Sequence, residues 1–449
     1  MKSYNDIIIG SGQGGVPLAV DLAEKGRNVA VFERDSWGGT CINAGCTPSK
    51  AFLAAAHAAQ HARSAERFGL STRVSIQFPH VMKRVREIIQ NWSRGVKDRL
   101  DKTNITLYEK EASFLDQRKI TDGEDTYTAD RVIINSGKSP FIPPVDGLSE
   151  TPFITYTSFW NLQELPQRMI ILGGGYTGVE LGQGLARLGS EVHIVERNQR
   201  IIHREKSDVS QTVQEALQSD GVEFHFQSEV KQVSHDGNTF SIQMDAGNIL
   251  EGDTLLVATG RKPNTANLEP EKIKIELDSN GHIIVDEHFQ TSCPGVYAIG
   301  DVTGQPAFTH VSWEDYRRLS SIFQGKDRTR GDRPLAYAFF TDPQVGRVGM
   351  TLEKAQEEGY DAIAATLPLN HVARALETDQ TRGFYRMVID NETDRILGAT
   401  LIGPEAAELI HIFIAHIQHQ ATWHDLDQAV HIHPAFAEAL PMLARKFKS

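Results

Sequence analysis

The sequence predicts an α/β protein with two related parallel-sheet units and a C-terminal α+β domain. Three observations carry that reading. First, the stretch Ile7-Ile8-Ile9-Gly10-Ser11-Gly12-Gln13-Gly14-Gly15 is echoed by Ile170-Ile171-Leu172-Gly173-Gly174-Gly175-Tyr176-Thr177-Gly178, with an apolar strand feeding a G-x-G-x-x-G turn in both. Second, each turn is followed by a helical stretch and a strand closing on an acid, at Val29–Glu33 and Val192–Glu196, and the spacing from first glycine to glutamate is the same. Third, from about Tyr337 the pattern changes to long strands, Tyr385–Ile389 and Leu397–Ile402, and a helix over Glu405–His419.

Each part of the repeated turn has a physical task. The first glycine permits the tight turn, the second lets a pyrophosphate approach the backbone, and the third allows close packing of helix on strand. The helix offers free N–H groups and the positive end of its dipole to phosphate. The closing glutamate accepts hydrogen bonds from a ribose 2′-hydroxyl. Pro17 is compatible with this, since proline is tolerated in a first helical turn. One such turn is weak evidence, but two in register make Rossmann-type units. They predict two bound dinucleotides, one on Gly10, Gly12, Gly15 and Glu33, the other on Gly173, Gly175, Gly178 and Glu196.

Between the copies, amphipathic helices are predicted over about Pro48–Phe68 and Pro79–Leu100, followed by short strands closing at Val132–Gly137. The proline-rich Pro140–Gly147 marks a boundary. A strand over Leu255–Gly260 closes the second unit, and Thr291–Asp301 reads as a further strand ending in Gly-Asp. The expected domains are 1–150, 151–268, a central segment 269–336 and a C-terminal domain 337–449.

Cys41 and Cys46 are the strongest chemical signal. Only three cysteines occur in 449 residues, and these two lie in Gly38-Gly39-Thr40-Cys41-Ile42-Asn43-Ala44-Gly45-Cys46-Thr47-Pro48-Ser49-Lys50, just downstream of the first turn. In a cysteine-poor chain expected to be cytosolic, closely spaced cysteines are more often redox-active or metal-binding than structural. Five residues of regular helix rise about 7.5 Å, while a disulfide spans Cα atoms at most roughly 7 Å apart. If the sulfurs pair, the backbone between them must leave helical form, and Gly45 is placed to permit it. Two unconnected small buried residues are the ordinary alternative.

The net charge of −12 argues against a general nucleic-acid or anionic-membrane partner, and 40% apolar content with 37 glycines is that of a globular chain. Met1–Asn5 run straight into the first strand and no uncharged apolar run approaches membrane-spanning length, so a cytoplasmic protein is expected.

Taken together, these motifs resemble the class I FAD-dependent pyridine nucleotide–disulfide oxidoreductases, a family that includes lipoamide dehydrogenase, glutathione reductase and mercuric reductase. The run from Gly38 to Lys50 matches the family's G-G-T-C-x-N-x-G-C-x-P-S-K, and the likeness covers essentially the whole chain. It is most similar to the mercuric-reductase-like branch that includes reactive-chlorine-resistance flavoproteins, through Val372–Ala375, Thr381–Phe384, Gly300–Gly304 and Val430–Pro434.

The resemblance implies FAD on the first turn, with Gly39, Thr40 and Lys50 among its contacts, Glu33 on the adenosine ribose and Asp301 at the ribityl and phosphate end. It implies NAD(P)H on the second turn and at Gly260, with Tyr176 covering the flavin until nicotinamide enters. Lys50 and Glu180 are expected to pair beside the flavin, where a cation favours the anionic reduced form. Cys41 and Cys46 are then a redox disulfide, with Cys46 the thiolate against the flavin and Cys41 the thiol that exchanges with substrate. His433, in His433-Pro434-Ala435-Phe436-Ala437-Glu438, is the implied acid/base, and Glu438 its orienting carboxylate. Both would reach in from the second subunit of an obligate homodimer. Ala435 stands where the family pattern has threonine, and Pro434 is expected to open the helix carrying Glu438.

The implied reaction carries electrons from NAD(P)H through FAD to the Cys41–Cys46 disulfide and on to a disulfide substrate. It could also run in reverse with a dithiol such as dihydrolipoamide, free or on a lipoyl-carrying protein. A stress-response reductase of Cu(II) or Hg(II) is a second reading, and a non-catalytic flavoprotein docking subunit a third. Mercuric reductases carry a C-terminal vicinal cysteine pair that Leu443–Ser449 does not hold, so efficient mercury handling is not expected. Glu196 favours NAD, because a carboxylate repels a 2′-phosphate. Arg197, Arg200, His203 and Arg204 follow it and offer NADP a cationic alternative. His411, His416, His419 and His424 do not put three side chains on one helical face at i, i+4, so no metal site is expected there. Cys293 reads as a small structural residue.

Overall fold

The computed structural model describes every residue except 246, 332 and 449. The chain divides into two compact units, one of Met1–Gly173, Arg187–Val195 and Ser228–Asp332, the other of Gly174–Ala186, Glu196–Gln227 and Arg333–Ser449.

The first unit is built on a parallel sheet. Strand Lys2–Ile9 lies between Val29–Phe32 and Thr126–Ile134, and both pairs are parallel. Ile105–Tyr108 extends the sheet beyond Val29–Phe32, and Val296–Ala298 pairs with Thr126–Ile134. Ile7–Ile9, Val29–Phe32 and Val132–Ile134 are continuous apolar runs because both faces of the sheet are covered there. Alternate residues serve opposite cores. Ile7 and Ile9 pack with Phe32, Val132, Ile134 and Val296, while Ile8 packs with Val29, Val31, Ile133, Leu18 and Leu319. The second glycine turn is fed by Arg168–Leu172, a strand paired in parallel with both Glu191–Glu196 and Thr254–Val257. An antiparallel meander of Val230–His235, Phe240–Met244 and Ile249–Gly252 packs Val233, Phe240 and Ile242 into the same core as Ile170 and Leu172.

The second unit holds the helices Tyr176–Leu188 (to Ala186) and Ser207–Ser219 and an antiparallel C-terminal sheet. Five strands run in the spatial order Ala336–Phe339, Gln344–Gly349, Ile396–Gly403, Phe384–Asp390 and Ala362–Pro368. Tyr385, Met387 and Leu401 from the sheet meet Ile410 and Phe413 of helix Ala406–Gln418 and Leu440 and Leu443 of helix Ala439–Ala444.

Two predicted elements bearing on the site differ from the observed ones. The strand read over Thr291–Asp301 contracts to Val296–Ala298, and Gly300–Asp301 lie in a 3-10 turn, Gly300–Thr303. Pro434 does not open a helix: Ala435 is extended (φ −144°, ψ 157°), Glu438 ends the 3-10 turn Phe436–Glu438, and the α-helix starts at Ala439. Among the described residues no helix is long and apolar enough to cross a membrane.

Candidate active site

The two glycine turns are held alike. Gly10 has φ +103° and its N–H donates to the Phe32 carbonyl at 2.8 Å; Gly173 has φ +106° and donates to the Val195 carbonyl at 2.9 Å. A Cβ at Gly10 would lie 2.3 Å from the Asn135 carbonyl oxygen, and one at Gly173 would lie 2.6 Å from that of Ala258. Both first positions therefore need glycine for conformation and for space. The closing glutamates clamp their own turns. Glu33 Oε2 accepts from the Ser11 N–H (3.0 Å) and hydroxyl (2.6 Å), and Glu196 Oε2 accepts from the Gly174 N–H at 2.8 Å. Their other oxygens accept from the backbone two residues on, Asp35 N–H at 2.9 Å and Asn198 N–H at 2.8 Å.

The first turn is also tied to the rest of its unit. Asn135 Oδ1 accepts the Gly15 N–H at 2.8 Å, and a Cβ at Gly15 would lie 2.2 Å from the Gly10 carbonyl oxygen. Ser11 Oγ accepts the Gly38 N–H at 3.0 Å, and Gly39, at φ +63°, brings its backbone so near Gly12 that a Cβ would lie 2.8 Å from the Gly12 Cα. Glycine turn and cysteine segment thus pack backbone against backbone.

The cysteine segment breaks where the disulfide geometry requires. A short helix, Gly39–Asn43, ends at Ala44 (φ −144°), and a second helix, Cys46–Ser64, starts at once. Gly45 serves by its size and not by a left-handed φ: it sits at φ −107°, and a Cβ there would lie 3.0 Å from the Thr40 carbonyl oxygen. Asn43 Nδ2 donates to the carbonyls of Trp37 and Gly39, both at 3.0 Å, and Trp160 Nε1 donates to that of Ala44 at 3.1 Å. This break brings Cys41 beside Cys46, each as a free cysteine, Cys46 exposed and Cys41 half-buried.

The Cys46 partner and burial push the Cys41 thiol far above the usual range, while the Thr309 hydroxyl and the Lys50 charge act in the opposite direction. Thr309, the first residue of helix Thr309–Phe323, has its hydroxyl 3.2 Å from Cys46 Sγ. Cys46 opens its own 19-residue helix, whose dipole favours negative charge at that end. Half-buried Lys50 stands one turn into the same helix. Thr309 was not legible in the sequence, because 263 residues separate it from Cys46.

The remaining expected residues fall as follows. Asp301 is half-buried, with the Arg261 guanidinium 3.8 Å away, and burial pushes its carboxyl upward. The turn that carries it is fixed by fully buried Asp315, whose Oδ2 accepts the Gly300 N–H at 2.8 Å. Glu180 is buried and accepts the Phe340 N–H at 2.7 Å. Thr40 is half-buried, and its carbonyl accepts the N–H groups of Ala44 and Gly45. Gly175 and Gly260 have nothing within 4 Å of a built Cβ, and Gly178 is buried in its helix. Tyr176 donates its hydroxyl to Glu205 at 2.6 Å and stacks on Phe339. His433 is exposed, with Nδ1 2.9 Å from both oxygens of Glu438, and that carboxylate raises the imidazole pKa. Among the C-terminal histidines, His416 Nδ1 contacts the Ile412 carbonyl and His424 Nε2 contacts Asp394.

Residues 4–315 match the model of a family described as pyridine nucleotide-disulphide oxidoreductase, and residues 335–444 match its dimerisation domain. The chain is 33% identical to RclA of Escherichia coli, a probable pyridine nucleotide-disulfide oxidoreductase, over 98% of both chains. It is 32% identical to the mercuric reductase of Staphylococcus aureus, over 99% of this chain and 82% of that one. The solved structure of the Cu(II) complex of the HOCl-induced flavoprotein disulfide reductase RclA superposes with a TM-score of 0.90 at 33% identity, covering 99% of this chain and 100% of that one.

Proposed function

The chain belongs to the pyridine nucleotide–disulphide oxidoreductase family, and from that membership and the geometry of its cysteine pair we propose a reductase that passes electrons from NAD(P)H through FAD to Cys41–Cys46 and on to a disulfide, or the reverse with a dithiol. The neighbouring pair Cys41 and Cys46, with Cys46 at the N-terminus of a 19-residue helix, carries the reading. The residues fit a dinucleotide on the first turn: glycine at positions 10, 12, 14 and 39 lets the turn close against Asn135, Ser312 and the cysteine segment, and helix Gly15–Glu24 starts there with the positive end of its dipole. Asp301 supplies a half-buried carboxylate suited to ribityl hydroxyls. When bound, FAD supplies the relay, accepting hydride from NAD(P)H and handing the electron pair to the Cys41–Cys46 disulfide.

With its proton held by the pairing, Cys41 cannot exchange until a base removes it. We assign that step to His433 of a second copy of the chain. Glu438 engages Nδ1 and leaves Nε2 to take the Cys41 proton. The Cys41 thiolate attacks one sulfur of the substrate disulfide, and the leaving thiolate takes the proton back from His433. Cys46, as thiolate beside Thr309 and Lys50, then attacks the Cys41 sulfur. That attack releases the second substrate thiolate, which solvent protonates, and leaves Cys41–Cys46 oxidised. Val430 and Ile432, on the loop leading to His433, are 98% and 80% exposed, which supports a second copy covering this loop. The dimerisation-domain match over residues 335–444 supports the same arrangement.

Reduction of Cu(II) is the second reading, favoured by the Cu(II) complex of RclA and by the soft dithiol. NADH oxidation assayed with lipoamide, glutathione disulfide, Cu(II) and Hg(II) separates the two. Turnover with a disulfide that is lost in Cys41→Ser is expected, and turnover with metal ions alone would replace the lead reading by the second. His433→Ala should lower disulfide turnover by about 10²–10⁴-fold. In the dithiol direction the neutral imidazole is the working form, and Glu438 raises its pKa. Turnover therefore falls as pH drops through that pKa, and Glu438→Gln moves the acid limb of the rate profile to lower pH.

A further inference from the structure

Glu205 is a buried carboxylate in the second unit that the mechanism above does not use. Its Oε1 accepts two phenols at once, Tyr176 at 2.6 Å and Tyr337 at 2.7 Å, and its Oε2 accepts Arg347 Nη1 at 3.1 Å. Arg347 also donates to the Tyr337 hydroxyl at 2.9 Å. Strand register creates this arrangement, because Tyr337 and Arg347 are direct cross-strand partners in the C-terminal sheet. Phe339 is two residues along from Tyr337, on the same face, and the Tyr176 ring stacks on it at a centroid distance of 4.8 Å and 22°. Tyr176 is thus gripped at both ends, ring face on Phe339 and hydroxyl on Glu205.

Simple packing does not call for this network. A phenylalanine could stack on Phe339 without burying a charge, and a buried carboxylate is costly unless paired and hydrogen-bonded. The sharing of one acceptor by two phenols has a further consequence. If the Tyr176 ring swings out, Tyr337 and Arg347 still satisfy Glu205, so loss of the Tyr176–Glu205 hydrogen bond leaves no orphaned charge. A Cβ built on the neighbouring Gly175 would meet nothing within 4 Å. Burial and the neighbouring Tyr337 and Glu205 keep the Tyr176 phenol protonated, as a donor must be.

We propose that Glu205 is a positioning residue, a releasable latch on the Tyr176 ring that sets how readily nicotinamide reaches the flavin. The proposal rests on the reading of Tyr176 as the cover of the flavin. Releasing the latch raises the population of the open ring and so tightens apparent NADH binding.

Steady-state and stopped-flow NADH kinetics on the FAD-loaded enzyme test it. In Glu205→Ala the KM for NADH should fall about tenfold, with a smaller fall in Glu205→Gln, which keeps the volume and one acceptor. Tyr337→Phe should raise KM, because the open state then satisfies Glu205 less well; damage to packing alone would move both variants the same way. In a Tyr176→Phe background the Glu205 substitutions should have no further effect. If Tyr176→Phe and Tyr176→Ala change flavin reduction by NADH but Glu205 and Tyr337 variants do not, the latch is wrong while the cover stands. If Tyr176→Ala itself leaves flavin reduction unchanged, the cover reading fails and takes the latch with it. Should Glu205→Ala not retain FAD, the opposite shifts of Glu205→Gln and Tyr337→Phe decide the matter, and shifts of the same sign overturn the proposal.

Discussion

The turn at Gly10 and the turn at Gly173 begin from the same local code and end in different surroundings. Spacing, left-handed first glycine, strand-end hydrogen bond and glutamate clamp repeat in both. They part at the residue after the first glycine. Ser11 carries a hydroxyl that receives Gly38 N–H and so couples the first turn to the cysteine segment. Gly174 has no such group, and a Cβ there would lie 2.8 Å from Ile201 Cγ2. The third position of the turn differs as well, Gly12 packed against Asn135 Oδ1 and Gly175 open. A closed turn wired to the redox pair suits a resident cofactor, and an open one suits a cofactor that comes and goes. Equal motifs therefore encode equal turns, and the neighbours decide what each turn is for.

The widest separation between the copies comes from alanine at Gly10 and at Gly175. Gly10→Ala forces a left-handed φ and a backbone clash, and should cost about 3 kcal/mol or more with loss of FAD. Gly175→Ala should stay within about 0.5 kcal/mol of the parent. Thermal unfolding of the FAD-loaded enzyme with flavin release as a second readout checks both, and equal losses would break the comparison. A smaller effect is expected at the next position. Ser11→Ala leaves Gly38 N–H and one Glu33 lone pair without their partner, for about 1 kcal/mol. It should also slow electron transfer to the cysteines more than hydride transfer from NADH, which rapid-mixing kinetics resolves; equal slowing of both steps would deny the coupling.

Much of this was legible where the determinants are local. The glycine turns, the helix break between Cys41 and Cys46, and the His433–Glu438 contact all depend on residues a few positions apart. Asn135 under Gly15, Trp160 on Ala44, Thr309 on Cys46 and the Tyr176–Glu205–Tyr337–Arg347 network were not legible, because sheet order and strand register bring them together over long stretches of chain. Pro434 misled for the opposite reason: proline favours a helix start, but the extended Ala435 postpones the helix to Ala439. Gly45 was read for its conformational freedom, and the structure uses it for its lack of a side chain.

In the proposed relay the electron pair reaches substrate through Cys46 and then Cys41. Anaerobic titration of the FAD-loaded enzyme with NADH reads this out. A long-wavelength band from the Cys46 thiolate against oxidised flavin is expected, absent in Cys46→Ser. Bleaching of the unmutated enzyme straight to reduced flavin, with no such band, would contradict it.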